Sequence, residues 1–293
     1  MVVVTLISGR SRAGLTPLLA DEASRLLDGT RPDWLEPDVA ADFFTQAPLA
    51  PEAVAELRAF AFEAALDCVV QERGRRRKQI LLADMDSTMI GQECIDELAA
   101  EIGIKDRVAA ITARAMNGEI AFEPALRERV SLLQGLAESV IDEVIEKRIT
   151  LAAGGKTLVA TMRAHGAHTA LISGGFTAFT DQIAAALGFH ENRANRLLVT
   201  GGRLTGKVAE PILGREAKLA ALHDIAAAQG LSIADAIVVG DGANDLAMIQ
   251  AAGTGVALHA KPSVAAAAPH RIDHGDLTAL LFMQGYHATE FVE

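Results

Sequence analysis

The chain carries two rhythms of apolar and polar positions, one on each side of a basic hexapeptide. Residues 2–8 are β-branched and apolar and predict a strand. Residues 15–27 carry apolar side chains at helical spacing, and 38–44 predict a weakly patterned strand. A helix should follow over 51–64, opening on Pro51 where a missing N–H costs little. Residues 68–70 would supply a closing strand. This β-α-β-α-β order predicts a small α+β domain of ferredoxin-like type over residues 1–72. Arg73-Gly-Arg-Arg-Arg-Lys78 then reads as a solvated linker over 73–79.

Beyond the linker, residues 80–83 form a short apolar run that predicts a buried strand. From 93 to 149 the β signal fades, and a 3.6-residue spacing predicts helices over 94–102, 106–116, 122–133 and 139–148. Asn117-Gly118 and Gln134-Gly135 provide stops. The αβ alternation then resumes: helix 156–165, strand 167–172, helix 176–187, a hairpin over 195–207 around Gly201-Gly202, helix 214–229 and strand 236–239. Segments 246–252, 255–258 and 277–284 complete it. Strands alternating with helices predict an α/β fold over 80–293, a Rossmann-like parallel sheet covered on both faces. The helical block, about 92–150, is a cap inserted after the first strand of that sheet.

Composition narrows the function classes. A length of 293 residues allows one large domain or two ordinary ones, and a hydrophobic content of 50% supplies a sizeable core. The net charge of -11 argues against a general nucleic-acid binder or an anionic membrane surface as partner. Cys68 and Cys94 form no CxxC, so neither a zinc knuckle nor a disulfide framework is indicated. His270 and His274, beside Pro269 and Gly275, read as loop residues rather than ligands. The start of the chain lacks the basic residues and long apolar core of a secretion signal, and no apolar run approaches membrane-spanning length. The expectation is a cytoplasmic protein acting on a small molecule, with neither nucleic acid nor membrane as partner.

Candidate chemistry gathers at predicted strand ends, where open α/β sheets bind ligands. Residues 80–83 run directly into Asp84-Met-Asp86-Ser-Thr88. Two carboxylates this close repel, so a positive partner is expected. A divalent cation such as Mg²⁺, shared with phosphate oxygens, is the simplest one. An Asp can also attack phosphorus and split one hard hydrolysis into two easier steps. Ser173-Gly174-Gly175 offers a hydroxyl and approachable backbone N–H groups at the predicted start of a helix. Lys218 is a candidate phosphate clamp, and Gly240-Asp241-Gly-Ala-Asn244-Asp245 wraps acids and an amide around a tight turn. Each has a plainer reading alone: a turn, a solvated charge, a helix cap.

In this order, Asp84-x-Asp86-x-Thr88, Ser173, Lys218 and Gly240-Asp241-Gly-x-Asn244-Asp245 resemble the haloacid dehalogenase-like superfamily over roughly residues 80–285. The second acid, Asp86, is the mark of its phosphatases. Within the superfamily, Asp84-Met-Asp-Ser-Thr-Met-Ile-Gly-Gln-Glu93 and the stretch from Met116 through Phe122 and Arg129 to Leu133 are similar to phosphoserine phosphatases. The resemblance implies Mg²⁺-dependent hydrolysis of phosphoserine through an aspartyl-phosphate, as the last step of serine biosynthesis. It makes Asp84 the nucleophile and Asp86 the acid and base. Mg²⁺ would be held by Asp84, the main-chain carbonyl of Asp86, and Asp241. Ser173, Gly174, Gly175, Lys218 and Asn244 would hold the phosphate, with Thr88 and Asp245 supporting. Glu93 would meet the substrate ammonium, Arg129 its carboxylate, and Phe122 would close over it. The amino-terminal residues are similar in outline to ACT-like modules, which leaves open a dimerisation or stabilising role, hence a homodimer, or a serine sensor. The alternatives are a phosphatase or phosphotransferase for another small phosphomonoester, or an amino acid-binding regulator.

Overall fold

The computed structural model describes residues 1–117 and 119–293; Gly118, half of one predicted helix stop, lies outside the described residues. The first domain runs β1 (Val2–Ile7), α1 (Pro17–Leu26), β2 (Pro32–Glu36), β3 (Ala40–Thr45), α2 (Pro51–Glu63) and β4 (Asp67–Glu72). Its antiparallel sheet has the order β2-β3-β1-β4. Alternation along β1 sorts the two faces. Val4 and Leu6 pack with Leu57, Ala61 and Ala23 beneath the helices, while Ile7 joins the core of the second domain. The sequence pattern passed over β2, a half-exposed edge strand led by a proline, a residue that sheets admit at an edge or a strand's first position.

The second domain begins with β5 (Ile80–Ala83), followed by the cap helices α3 (Cys94–Ala100), α4 (Lys105–Met116), α5 (Phe122–Ser131) and α6 (Val140–Arg148). It continues with α7 (Gly155–Ala164), β6 (His168–Phe176), α8 (Thr177–Leu187) and β7 (Glu191–Asn195). The hairpin β8 (Leu197–Thr200) and β9 (Arg203–Val208) and the helix α9 (Arg215–Ala228) come next. β10 (Ala236–Gly240), α10 (Leu246–Ala251), β11 (Thr254–Leu258), α11 (Pro262–Ala267), β12 (His270–Ile272) and α12 (Ala279–Met283) close the chain. The six-stranded sheet is parallel, in the order β12-β11-β10-β5-β6-β7. β5 and β10 are wholly buried, the continuous apolar type that a doubly covered sheet requires.

Three local expectations change. His270 lies on strand β12 rather than in a loop. Ser173-Gly174-Gly175 prolongs β6 as extended chain, so the following helix starts only at Thr177. The basic stretch joins the domains but is not simply solvated. Arg76 Nη2 lies 2.5 Å from the buried Asp42 Oδ2, and Arg77 Nη2 lies 2.9 Å from Glu290 Oε2. A further tie crosses the seam: the Asp67 carboxylate accepts the backbone N–H groups of Asp273, His274 and Gly275. No helix among the described residues is long and apolar enough to cross a membrane.

The cap leaves and re-enters the sheet domain at a narrow neck. Ile90 bridges Leu151, and Gln92 Nε2 donates to Thr150 Oγ1 at 2.9 Å. Its far side is braced by the β8–β9 hairpin, where Leu204 N–H donates to Leu136 O and Gly135 N–H to Leu204 O. The cap is therefore held at two ends over the carboxyl ends of β5, β6 and β10.

Candidate active site

Register decides what meets at those strand ends. Ala83 pairs with Val239 on one side and Leu171 on the other. The next residues out of the sheet are therefore Asp84 on β5, Gly240-Asp241 on β10 and Ile172-Ser173 on β6. Ser87 adopts a φ of 54°, a left-handed conformation that turns the chain sharply after Asp86.

Lys218 reaches the same point from α9. The buried residues of that helix are Lys218, Ala221, Leu222, Ile225 and Ala226, one apolar stripe packed on the sheet. A lysine on such a stripe is costly unless paired. Its Nζ lies 2.7 Å from Asp84 Oδ1 and 2.6 Å from Asp245 Oδ1. Burial alone would lower its pKa, but Asp245 and Asp84 outweigh this and hold it raised.

The carboxylates are unequal. Asp84 Oδ1 accepts from Met85 N–H at 2.8 Å as well as from Lys218, which leaves Oδ2 without a hydrogen-bond partner among the described residues. Burial, then the Asp245 charge, pushes the Asp84 carboxyl well up, against the pull of Lys218. Asp86 Oδ1 accepts the N–H of Cys94, the first residue of α3, at 3.2 Å. Asp86 Oδ2 faces Gly175, where a Cβ would sit 2.9 Å from it. Burial raises the Asp86 pKa, favouring a protonated acid.

Asp241 is raised to about 7, first by burial and then by Asp245. Its buried Oδ2 has no hydrogen-bond partner among the described residues, and Lys261 Nζ stands off at 3.9 Å. Asp84, Asp241 and Asp245 each bring an oxygen within 4.8 Å of the others. Excess negative charge, oxygen ligands and an orphaned carboxylate oxygen suit a hard divalent cation. The side-chain cluster thus contains Asp84 and Asp241 of the implied ligand set with Asp245 beside them; the part implied for Asp86 is that of its main-chain carbonyl, and its carboxylate turns toward Cys94 and Gly175. Asp245 is also fully engaged: Oδ1 meets Lys218, and Oδ2 accepts Gly242 N–H at 3.1 Å. Asp245 thus stands both in the carboxylate cluster and on Lys218.

Ser173, Gly174, Gly175 and Asn244 line the pocket beside Asp84 and Asp86. Ser173 Oγ accepts Gly175 N–H at 2.9 Å, and the buried Asn244 Oδ1 has no partner among the described residues. Thr88 Oγ1 lies 3.5 Å from Asp241 Oδ1, behind the carboxylates. The pocket roof comes from the cap: Glu93, Phe122 and Arg129. Phe122 rests on the Ser173-Gly174-Gly175 segment, since a Cβ on Gly174 would meet its ring at 2.9 Å. Only glycine lets the cap sit this low. Burial, then Asp86, raises the Glu93 carboxyl well above its ordinary value, while Ser87 Oγ donates to it at 2.7 Å. Burial lowers the Arg129 pKa, opposed by Glu93, Asp96 and Asp86.

All the candidate residues named from sequence thus face, or stand directly behind, one pocket. Sequence reasoning passed over three supporting residues: Cys94, whose backbone holds Asp86; Ser87, which holds Glu93; and Asn195. The buried Asn195 Nδ2 donates to the carbonyls of Gly174 (2.9 Å) and Leu213 (3.1 Å), fixing the loop after Ser173. The only sequence signal for Asn195 is its place at the end of a polar strand.

Comparison with known proteins agrees with this geometry. Residues 81–250 match the family model described as haloacid dehalogenase-like hydrolase. The chain is 42% identical over 211 residues to a phosphoserine phosphatase of Streptomyces coelicolor, covering 72% of this chain but 51%, about half, of that one. It is 44% identical to a phosphoserine phosphatase of Streptococcus thermophilus, covering 68% of this chain and 93% of that protein. The crystal structure of a haloacid dehalogenase family hydrolase from Salmonella enterica serovar Typhi superposes with a TM-score of 0.84 at 29% identity. It covers 97% of this chain and 98% of that one.

Proposed function

The chain belongs to the haloacid dehalogenase-like hydrolase family, and we propose that it is a phosphoserine phosphatase, releasing serine and phosphate from O-phospho-L-serine. The observation that carries the reading is one small pocket with two chemically distinct ends. Paired acids and a buried lysine lie at the floor; a carboxyl and a guanidinium lie in the roof. A phosphate with an attached amino acid fits that division. The relatives named phosphoserine phosphatase support the same substrate.

Asp84 Oδ2 attacks phosphorus in line, while Lys218 fixes the carboxylate through Oδ1. Asp86, held by Cys94 N–H and with its pKa raised by burial, gives its proton to the departing serine oxygen. It then takes a proton from the water that cleaves the aspartyl-phosphate, which restores both acids. Ser173 Oγ, the N–H of Gly174, Lys218 and Asn244 hold the phosphoryl oxygens as charge shifts among them, with Gly175 N–H fixing Ser173 Oγ. Mg²⁺, held by Asp84, the Asp86 carbonyl and Asp241, would neutralise phosphate charge and orient the phosphoryl group. Glu93 receives the ammonium and Arg129 the carboxylate. Phe122 and the cap exclude bulk water. The chemistry needs no membrane or nucleic acid, in keeping with a cytoplasmic enzyme of serine biosynthesis.

The test is phosphate release from L-phosphoserine beside phosphothreonine, phosphohomoserine and a sugar phosphate, for wild type and Asp84→Asn. We expect preference for phosphoserine, loss with EDTA with recovery on Mg²⁺, and a fall in kcat of at least about 10³-fold in Asp84→Asn. Preference for another phosphomonoester would overturn the substrate while leaving the reaction class in place.

A further inference from the structure

Arg129 is buried before any substrate arrives, and no carboxylate lies within ion-pair distance of it among the described residues. A buried guanidinium without a counter-charge is strongly unfavourable. Its hydrogen bonds show how the charge is met. Nε donates to Ala125 O at 3.2 Å, and Nη1 donates to Thr112 Oγ1 at 3.0 Å. Thr112 Oγ1 in turn donates to Asp96 Oδ1 at 2.7 Å. The direction of the first link is forced. Arginine can only donate, so the hydroxyl oxygen accepts, and its single proton is free for another acceptor. The Val108 carbonyl competes at 3.1 Å, but the shorter contact goes to the acid.

Asp96, Thr112 and Arg129 are 8%, 4% and 5% exposed and come from α3, α4 and α5, so water does not substitute for any link. The relay also leaves one edge of the guanidinium open: Nη2 has no hydrogen-bond partner among the described residues, and Arg129 lines the pocket. A direct Asp–Arg pair would occupy the guanidinium fork and compete with an incoming carboxylate. An interposed hydroxyl supplies the negative charge from behind and keeps the fork available.

We propose that Thr112 and Asp96 are positioning residues that hold Arg129 ready for the α-carboxylate of an amino acid phosphomonoester, and so set selectivity for substrates bearing that group. The proposal rests on the phosphoserine reading above. It is tested with O-phosphoethanolamine, which keeps the phosphate and the ammonium and lacks only the carboxylate. Wild type should prefer phosphoserine. In Thr112→Val, which keeps shape and removes the acceptor, KM for phosphoserine should rise about tenfold with kcat within about twofold. Turnover of phosphoethanolamine should stay at the wild-type level, which also reports a folded enzyme. Thr112→Ser should restore KM. Asp96→Asn, nearly isosteric, should move KM in the same direction and stands in should Thr112→Val not fold.

An unchanged KM in both Thr112→Val and Asp96→Asn, or equal losses on both substrates that Thr112→Ser does not repair, would overturn the relay and leave a packing role. Absence of any wild-type preference for phosphoserine over phosphoethanolamine would remove the substrate reading, and the relay's purpose with it. The wild-type comparison therefore separates the two failures.

Discussion

Lys218 shows how a single side chain sets the electrostatics of the pocket. It is fully buried between Asp84 and Asp245, so its ammonium is the main compensation for that pair, while Lys261 is the larger one for Asp241. In protein stripped of divalent ions, Lys218→Met should lower the unfolding free energy by about 3–5 kcal/mol, because it strands buried charge. Urea denaturation in EDTA measures this. The loss should shrink when Mg²⁺ is restored. Lys218 was legible only in company: a lysine on an apolar helical stripe signals pairing, but the stripe does not say with what. Asp84, Asp86 and Asp241 were easier to find, since each stands within three residues of the end of a short apolar run. Asn195, Thr112 and Asp96 carry no comparable signal, because their partners are distant in sequence.

At the scale of elements, the central strands were readable because a doubly covered parallel strand is a continuous apolar run. β2, β7 and β12 were not. Each lies at or next to a sheet edge, is short or polar, and is held by backbone hydrogen bonds that leave little trace in side-chain pattern. β11 depends on an absent side chain instead. A Cβ on Gly255 would lie 1.8 Å from the Ile249 carbonyl oxygen, so α10 and β11 approach backbone to backbone. Gly255→Ala should destabilise by about 3 kcal/mol or more, since backbone rather than a flexible side chain must move. The urea midpoint of the variant against wild type checks this.

Across the whole molecule, the seam between the domains is polar as well as apolar. Asp67 of β4 caps three N–H groups after β12, and His270 of β12 lies in a crevice with Arg58 of α2. Burial, then Arg58 and Lys78, lowers the His270 pKa from 6.5 to about 4. The unfolded chain takes up this proton below about 6.5 and the folded one only below about 4. Between these values the unfolded state binds more protons, so stability falls as pH falls through that window. His270→Gln should therefore lose less stability than wild type between pH 6.5 and 4, by roughly 1–3 kcal/mol. Urea midpoints at the two pH values give the comparison. Equal acid losses in the two proteins would show that His270 is not the group responsible.

The sequence by itself determined the α/β class, the small α+β domain ahead of it, the helical insertion after the first central strand and the residue types of the candidate site. Those features are local: a run, a spacing or a turn signal is complete within about a dozen residues. Tertiary structure decided which carboxylate faces which partner. It brought Asp245 into the acid cluster, set the Asp86 carboxylate on the Cys94 N–H, prolonged the Ser173 segment as strand, and set Arg129 behind a hydroxyl rather than against an acid. It also pinned the basic stretch and His270 between the domains. Such pairings depend on register and on contacts between residues far apart in the chain, and burial gives them their energy.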